Sequence, residues 1–139
     1  MSRIAAPFNC LIRTHHITSR KKLRRVRHAA HQLGIANVLI RSGGSPGIMF
    51  AESESEGSLT DWVAEVQALR YKDFRCVARP SLADVSNAKK RASSSSGALP
   101  PATGFFETES VAEFARQMKE RGLESWWKKA MGYTTVEDK

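Results

Sequence analysis

The side chains that most clearly suggest a chemistry are the basic residues between positions 20 and 27. Six of these eight residues are Arg or Lys: Arg20, Lys21, Lys22, Arg24, Arg25 and Arg27. Guanidinium and ammonium groups neutralise phosphates, and each neutralised phosphate releases counterions and adds salt-dependent affinity. The run therefore predicts binding to a polyanion, and residues 20–25 also resemble a nuclear localisation signal.

The net charge of +8 belongs entirely to the first third of the chain. Residues 1–50 contain nine Lys or Arg and no Asp or Glu, whereas residues 51–139 contain thirteen basic and fourteen acidic residues. A field of one sign favours nucleic acid or an anionic membrane surface as partner. The alternative is a basic surface that only keeps the protein soluble. We favour binding, because solubilising helices normally mix both signs.

Catalytic and metal-binding arrangements find little support in the sequence. The glycine-rich residues 43–47 lack a following lysine and fall between two predicted strands, which is typical of a turn. His28 and His31 can share a helix face, but arginines surround them and no third ligand is near in sequence. Cys10 and Cys76 fall on strands that we expect to be neighbours, and burial as small apolar residues is a simpler interpretation than a redox pair. We therefore predict no catalytic residue, no metal and no cofactor.

The basic run lies on a predicted helix that begins near Thr18 or Ser19 and ends near Gly34. The apolar positions of this helix form a single stripe, made of Leu23, Val26, Ala30 and Leu33, so its basic residues cover the solvent face. Around it, the pattern predicts strands at residues 8–17, 36–41, 48–51 and 71–79, and a second helix that Ser58 caps and that buries Trp62. The order β-α-β-β-α-β is typical of the ferredoxin-like α+β fold, an antiparallel four-stranded sheet with two helices on one face.

A polar segment interrupts this pattern after the fourth strand. Residues 87–97 are polar, rich in serine and free of bulky apolar groups, so the sequence predicts a flexible loop over residues 82–103. We expect one domain over residues 7–133, which contains this loop, and terminal tails at residues 1–6 and 134–139.

Beyond the loop the sequence predicts a C-terminal helical extension. A short extended piece at residues 104–108 precedes a helix that Ser110 caps and Gly122 ends. A further helical segment at residues 123–131 contains the adjacent Trp126 and Trp127. Helical geometry lets only one of these indoles point fully inward, so core packing and contact with a partner both stay open.

Several properties predict an intracellular protein, in the nucleus or the cytoplasm, that does not bind a membrane. No run of about 18 apolar residues occurs, and the first residues lack the apolar core of a signal peptide. Two cysteines cannot make a disulfide framework.

We predict a non-catalytic RNA-binding domain that contacts phosphate more than base edges, since no run of aromatic residues suggests a stacking platform on the sheet. The predicted contacts come from the basic helix, the strands and the loop: Arg13, Arg20, Lys21, Lys22, Arg24, Arg25, Arg27, His28, Arg41, Lys89, Lys90 and Arg91. His31 extends the same surface. The alternative is a protein-interaction module that docks through Trp126 and Trp127.

Two stretches of the chain resemble a known family. Residues 45–52 (SPGIMFAE), the helix around Trp62 and residues 69–75 (LRYKDFR) resemble a passage of the C-terminal domain of pre-mRNA-processing factor 3, a domain also found behind RWD domains. Residues 114–127 are similar to the closing helix and aromatic-Trp pattern of that family. The resemblance implies a ferredoxin-like fold with a C-terminal helical appendage, and RNA as partner, either a duplex or a junction of duplex and single strand.

Overall fold

Short runs of apolar and β-branched residues form the strands of a central sheet, and amphipathic segments form the helices between and after them. The structure is a computed structural model that describes residues 8–83 and 104–133. The elements in these ranges are β1 (Phe8–Thr14), α1 (Arg20–Gln32), β2 (Asn37–Arg41), β3 (Gly47–Ser53), α2 (Glu56–Ala68), β4 (Arg75–Leu82), β5 (Gly104–Thr108), α3 (Val111–Glu120) and α4 (Glu124–Met131). The predicted α+β class is confirmed.

The sheet has five strands in the order β4-β1-β3-β2-β5. β1 pairs antiparallel with both β3 and β4, and β2 pairs antiparallel with β3. β5 pairs parallel with β2, from Asn37 opposite Gly104 to Arg41 opposite Thr108. The four predicted strands form the antiparallel part of this sheet, but the prediction of a four-stranded sheet is corrected, because β5 adds a fifth, parallel strand. A parallel neighbour is possible here because β2 and β5 are far apart in sequence, which leaves room for the crossover that parallel strands need.

The ends of α1 agree with the prediction. The Ser19 hydroxyl accepts a hydrogen bond from the Lys22 amide at 3.1 Å, as a helix N-cap does. Gly34 follows the last turn with a φ of +70°, a left-handed conformation that glycine adopts without steric cost. The helix buries Leu23, Val26 and Ala30, so its apolar stripe is the predicted one.

α2 packs beside α1 on the same face of the sheet. The Trp62 indole is fully buried, and its Nε1 donates a hydrogen bond to the Val26 carbonyl at 3.3 Å, which ties the two helices together. The predicted cap at Ser58 is wrong, since Ser55 caps the helix by accepting a hydrogen bond from the Ser58 amide. The helix therefore begins one turn earlier, at Glu56.

The opposite face of the sheet is covered by α3 and α4. Leu11, Leu39 and Phe50 of the sheet pack there against Phe114 and Trp127 in a second core. The predicted pair of helices on one face is the layer of α1 and α2, whereas the face that the C-terminal helices cover was not predicted. Every residue of β3 is buried, which is what a strand shows when both faces of its sheet are covered.

A buried ion pair joins this cover to the sheet. Arg121, at the end of α3, places its Nε 3.4 Å from Oε2 of Glu52 on β3, and the two side chains are only 4% and 7% exposed. Asn37 donates a further hydrogen bond to the same carboxylate oxygen at 2.7 Å. The guanidinium also lies over the Phe50 ring, 5.7 Å from its centroid. Glu52 is thus part of the interior, whereas its acidic neighbours Glu54 and Glu56 are exposed.

β4 differs from its predicted bounds and from its predicted pattern of faces. The strand was expected over residues 71–79, but Arg70 and Asp73 have φ values of 62° and 57°, so the backbone turns there and the strand begins at Arg75. An irregularity in the pairing with β1 lies between Cys76 and Ala78. A bulge of this kind shifts the alternation by one residue, and Ala78 therefore packs with the second core and not beside Cys76.

The predicted flexible loop begins one residue too early, because Leu82 ends β4. Residues 84–103 of that loop lie outside the described residues, and so do the predicted tails. Within the described ranges, no helix has the length and apolar character needed to cross a membrane.

Candidate nucleic-acid interface

The outer face of α1 presents a dense set of cations to solvent. Lys21, Arg24, Arg25, Arg27 and His28 are exposed. The helix contains no Asp or Glu, and its first turn is capped by a serine hydroxyl and not by a carboxylate. The structure thus brings the helical members of the predicted RNA-binding set together on one surface, which we call the α1 basic face (residues 20–22, 24, 25, 27, 28 and 31).

One row of the α1 basic face borders a groove. Arg20, Arg24 and Arg27 lie at helical spacing and line a groove of about 200 Å³ whose other wall is Phe105 and Glu107 of β5. Seven residues of helix place the first and last of these arginines about 10 Å apart along the axis. The row therefore runs beside the edge strand of the sheet.

The groove contains an aromatic ring that the sequence interpretation left out. The Arg27 guanidinium lies 5.6 Å from the centroid of the Phe105 ring, a distance typical of a cation–π contact. The adjacent Phe105 and Phe106 indicate a strand in the sequence. Only the pairing of that strand, β5, with β2 brings Phe105 close to α1.

Arg20 differs from its neighbours because a glutamate neutralises it. Its Nη1 and Nη2 donate to the two carboxylate oxygens of Glu107 at 2.7 and 2.9 Å, and the Ser42 hydroxyl donates to the same carboxylate at 2.5 Å. These contacts with Arg20 hold the pKa of Glu107 below its ordinary value and raise the pKa of Arg20. Arg20 thus belongs to the surface but adds little net charge to it.

Lys22 projects away from the groove. Its Nζ lies 5.1 Å from the centroid of the Tyr71 ring and 3.5 Å from the Arg70 carbonyl oxygen. Burial raises the pKa of Tyr71 to about 12, so its ring is neutral at physiological pH. Lys22 therefore extends the α1 basic face toward the connection between α2 and β4.

Arg41 holds a turn together. Its Nη1 donates to the carbonyl oxygens of Gly44 and Pro46 at 2.7 and 3.1 Å, and its Nε donates to the Glu109 carbonyl at 3.0 Å. The guanidinium thus fixes the turn between β2 and β3 against the start of α3. The structure does not bring Arg41 to the α1 basic face.

Arg13 lies on the other side of the sheet from α1. Its neighbours in β1, Cys10 and Ile12, pack with the core under α1 and α2, whereas Leu11 packs under α3 and α4. The alternation of a strand places Arg13 on the same face as Leu11, and its Nη1 donates to the Met131 carbonyl at 3.4 Å. The two-residue alternation of β1 was therefore a signal in the sequence that Arg13 and α1 lie on opposite faces of the sheet.

The remaining predicted site residues fall elsewhere. Lys89, Lys90 and Arg91 lie outside the described residues. Trp127 is 2% exposed and packs in the second core, so it offers almost no surface to a partner. Trp126 is half-buried and meets the Phe50 ring edge-on, with 6.0 Å between centroids.

The metal-ligating residue types and the thiols of the described ranges were the remaining candidates for chemistry. No set of three His, Cys, Asp or Glu residues there is arranged to hold a metal ion. Cys10 is buried, Cys76 is half-buried and both are free thiols. Burial raises the pKa of both thiols, which disfavours the reactive thiolate.

Comparison with known proteins does not identify the chain. No protein-family model matches it, and no curated protein matches it. The resemblance to the C-terminal domain of pre-mRNA-processing factor 3 therefore stays a prediction.

Proposed function

We propose that this chain is a non-catalytic RNA-binding domain that contacts the phosphate backbone through the α1 basic face. The observation that supports it best is that Lys21, Arg24, Arg25 and Arg27 are exposed on one helix, and no carboxylate of the described residues forms an ion pair with them. A surface that only kept the protein soluble would mix both signs of charge.

The closed sheet favours phosphate contact over base stacking. Proteins with a single helical layer can stack bases on the open face of the sheet, but here α3 and α4 cover that face and Phe50 is fully buried beneath them. The groove between α1 and β5 offers one ring, Phe105, beside three arginines. We therefore propose a partner that is recognised by the spacing of its phosphates.

RNA is the polyanion that we propose, on the basis of sequence resemblance. Residues 45–52, 69–75 and 114–127 resemble a domain that contacts paired small nuclear RNAs and the adjoining single strand. We propose that the chain belongs to that family and has a ferredoxin-like fold. The elements up to β4 follow the order β-α-β-β-α-β along the chain, and their strands are ordered β4-β1-β3-β2 in the sheet. A duplex that ends in a single strand is the corresponding ligand, and the nucleus is the corresponding compartment.

A salt titration tests the proposal. We would measure the Kd for an RNA duplex with a single-stranded tail by fluorescence anisotropy, beside DNA of the same sequence and anionic vesicles. Four neutralised phosphates predict a slope of about −3.6 in log K against log salt on a duplex, so affinity falls about 150-fold between 50 and 200 mM salt. An affinity that does not fall with salt would refute phosphate recognition. Tighter binding to the vesicles than to RNA would refute RNA as the partner.

A further inference from the structure

Two arginines face each other across neighbouring strands at the end of the sheet. Arg13 of β1 is the direct antiparallel partner of Arg75 of β4, and both side chains are exposed. Residues paired in this way have Cβ atoms about 5 Å apart, and like charges directly opposite destabilise a sheet. The pair thus has an electrostatic cost that a neighbouring anion would offset.

The described part of the protein supplies no such anion. No carboxylate in residues 8–83 and 104–133 forms an ion pair with Arg13 or Arg75. The Oδ2 atom of the nearby Asp73 lies 3.6 Å from Nδ1 of His15. Arg13 uses one nitrogen on the last carbonyl of α4, that of Met131, which leaves the rest of its guanidinium available.

A cavity of about 370 Å³ opens beside this pair. Thr14 at the end of β1 and the following His15 form one wall, Asp73 and Phe74 just before β4 form another, and the Ser45-Pro46 turn closes the third side. Arg41 holds that turn in place by donating to the carbonyl oxygens of Gly44 and Pro46. The volume of the cavity lies within the range of small-molecule sites, about 300–1,000 Å³.

We propose that this cavity binds a phosphate group with two negative charges, either as orthophosphate or as the phosphomonoester of a larger molecule. Two guanidinium groups on adjacent strands match such an anion in charge, and each offers a planar fork of N–H donors to its oxygens. The Ser45 hydroxyl and the His15 imidazole stand around the same space as further hydrogen-bonding groups. The Asp73 carboxylate also lines the cavity and opposes an anion there, and its Oδ2 lies 3.6 Å from Nδ1 of His15.

This site is separate from the α1 basic face and does not rest on RNA binding there. Arg13 lies on the face of the sheet opposite α1, under the end of α4. A phosphomonoester has two sources of interest, the phosphorylated end of a nucleic acid strand and a free mononucleotide. Both present the same group to the two arginines.

Thermal denaturation of the full chain tests the site with orthophosphate as probe. Sodium phosphate is compared with sodium chloride at equal ionic strength, since a ligand of the folded state raises the Tm as its concentration exceeds its Kd. We expect phosphate to raise the Tm above the chloride value in the wild type and in the α1 double variant Lys21→Gln/Arg25→Gln. An equal Tm in both salts for the wild type would overturn the proposal.

The matched variants are Arg75→Gln, which removes a cation, and Arg75→Lys, which keeps the charge and removes the fork. We expect at least about tenfold weaker phosphate binding for Arg75→Gln and an intermediate loss for Arg75→Lys. In chloride, Arg75→Gln should melt at or above the wild-type temperature, because a like-charge pair has been removed. An unchanged phosphate response in both variants would overturn the assignment.

Two further arms separate the sources of the phosphomonoester. Adenosine 5′-monophosphate is compared with adenosine, and an RNA oligonucleotide with a 5′-phosphate is compared with the same oligonucleotide with a 5′-hydroxyl. Tighter binding of the phosphorylated oligonucleotide, lost in Arg75→Gln, supports a strand end as ligand. A mononucleotide is supported as the ligand by two results together. The two oligonucleotides bind equally, and the protein prefers the monophosphate to adenosine in a way that depends on Arg75.

Discussion

Removing two cations from the centre of the α1 basic face should weaken RNA binding by an amount that depends on salt. The substitutions are Lys21→Gln and Arg25→Gln, at two positions one helical turn apart and both exposed. Neither side chain forms an ion pair within the described residues. The double variant should therefore fold as the wild type does, with a stability within about 0.5 kcal/mol per site.

The magnitude follows from the number of exposed cations without a carboxylate partner. Four such groups predict a slope of about −3.6 for a duplex, and two predict about −1.8. If the non-electrostatic part of the affinity is unchanged, the plots of log K against log salt for the wild type and the variant meet near 1 M salt. At 0.1 M salt the variant then binds about 60-fold more weakly. The difference should widen as salt is lowered.

The assay is fluorescence anisotropy with the tailed duplex over a series of salt concentrations. The matched control is Lys119→Gln/Lys129→Gln, which removes the same two charges from exposed positions on α3 and α4, across the sheet from α1. We expect the control to keep the wild-type slope. If the control loses as much slope as the α1 variant, net charge and not the α1 basic face determines binding, and the reasoning fails.

The Glu107→Gln variant should bind RNA more tightly, with a slope steeper by about 0.9, because it releases Arg20; an unchanged slope would contradict this role. The pKa of Glu107 is held below its ordinary value of 4.5, so the stability that the Arg20–Glu107 pair adds is present at neutral pH and lost as the pH falls below about 4.5. The melting temperatures of the wild type and the variant should therefore converge in acid. Trp127→Ala should lower the free energy of unfolding by about 3–5 kcal/mol in urea, and Trp126→Ala by clearly less; equal losses would contradict their different burial. Gly47→Ala should destabilise the fold strongly, since the added methyl collides with the side chains of Thr14 and Ile17, and a wild-type Tm would refute that packing.

The parts of the fold that depend on local sequence could be predicted. The serine caps of α1 and α3 and the stripe of Leu23, Val26 and Ala30 follow from hydrogen-bonding groups and helical periodicity within one segment. The α1 basic face follows for the same reason, because the residues between those apolar positions must point to solvent. The cap of α2 was misplaced by one turn since Ser55 and Ser58 both satisfy the local pattern.

The parts that depend on pairing between distant segments could not be predicted. Periodicity identifies the apolar side of a helix but not the face of the sheet that it covers, so the sequence left the position of α3 and α4 open. The bulge opposite Leu11 reversed the alternation of β4, and no local signal marks a bulge of this kind. Phe105 and Glu107 come to α1 only because β5 pairs with β2. The facing of Arg13 and Arg75 depends in the same way on strand register.

The ion pair between Glu52 and Arg121 makes the last two helices an inseparable part of the molecule. A chain that ended after β4 would expose the leucine, isoleucine and phenylalanine side chains on that face of the sheet. It would also leave the Glu52 carboxylate without the Arg121 guanidinium. Losing one member of a buried pair typically costs about 3–5 kcal/mol, comparable with the whole stability of a small domain. Fragments for binding studies should therefore extend at least through Gly132, and shorter ones are expected to aggregate.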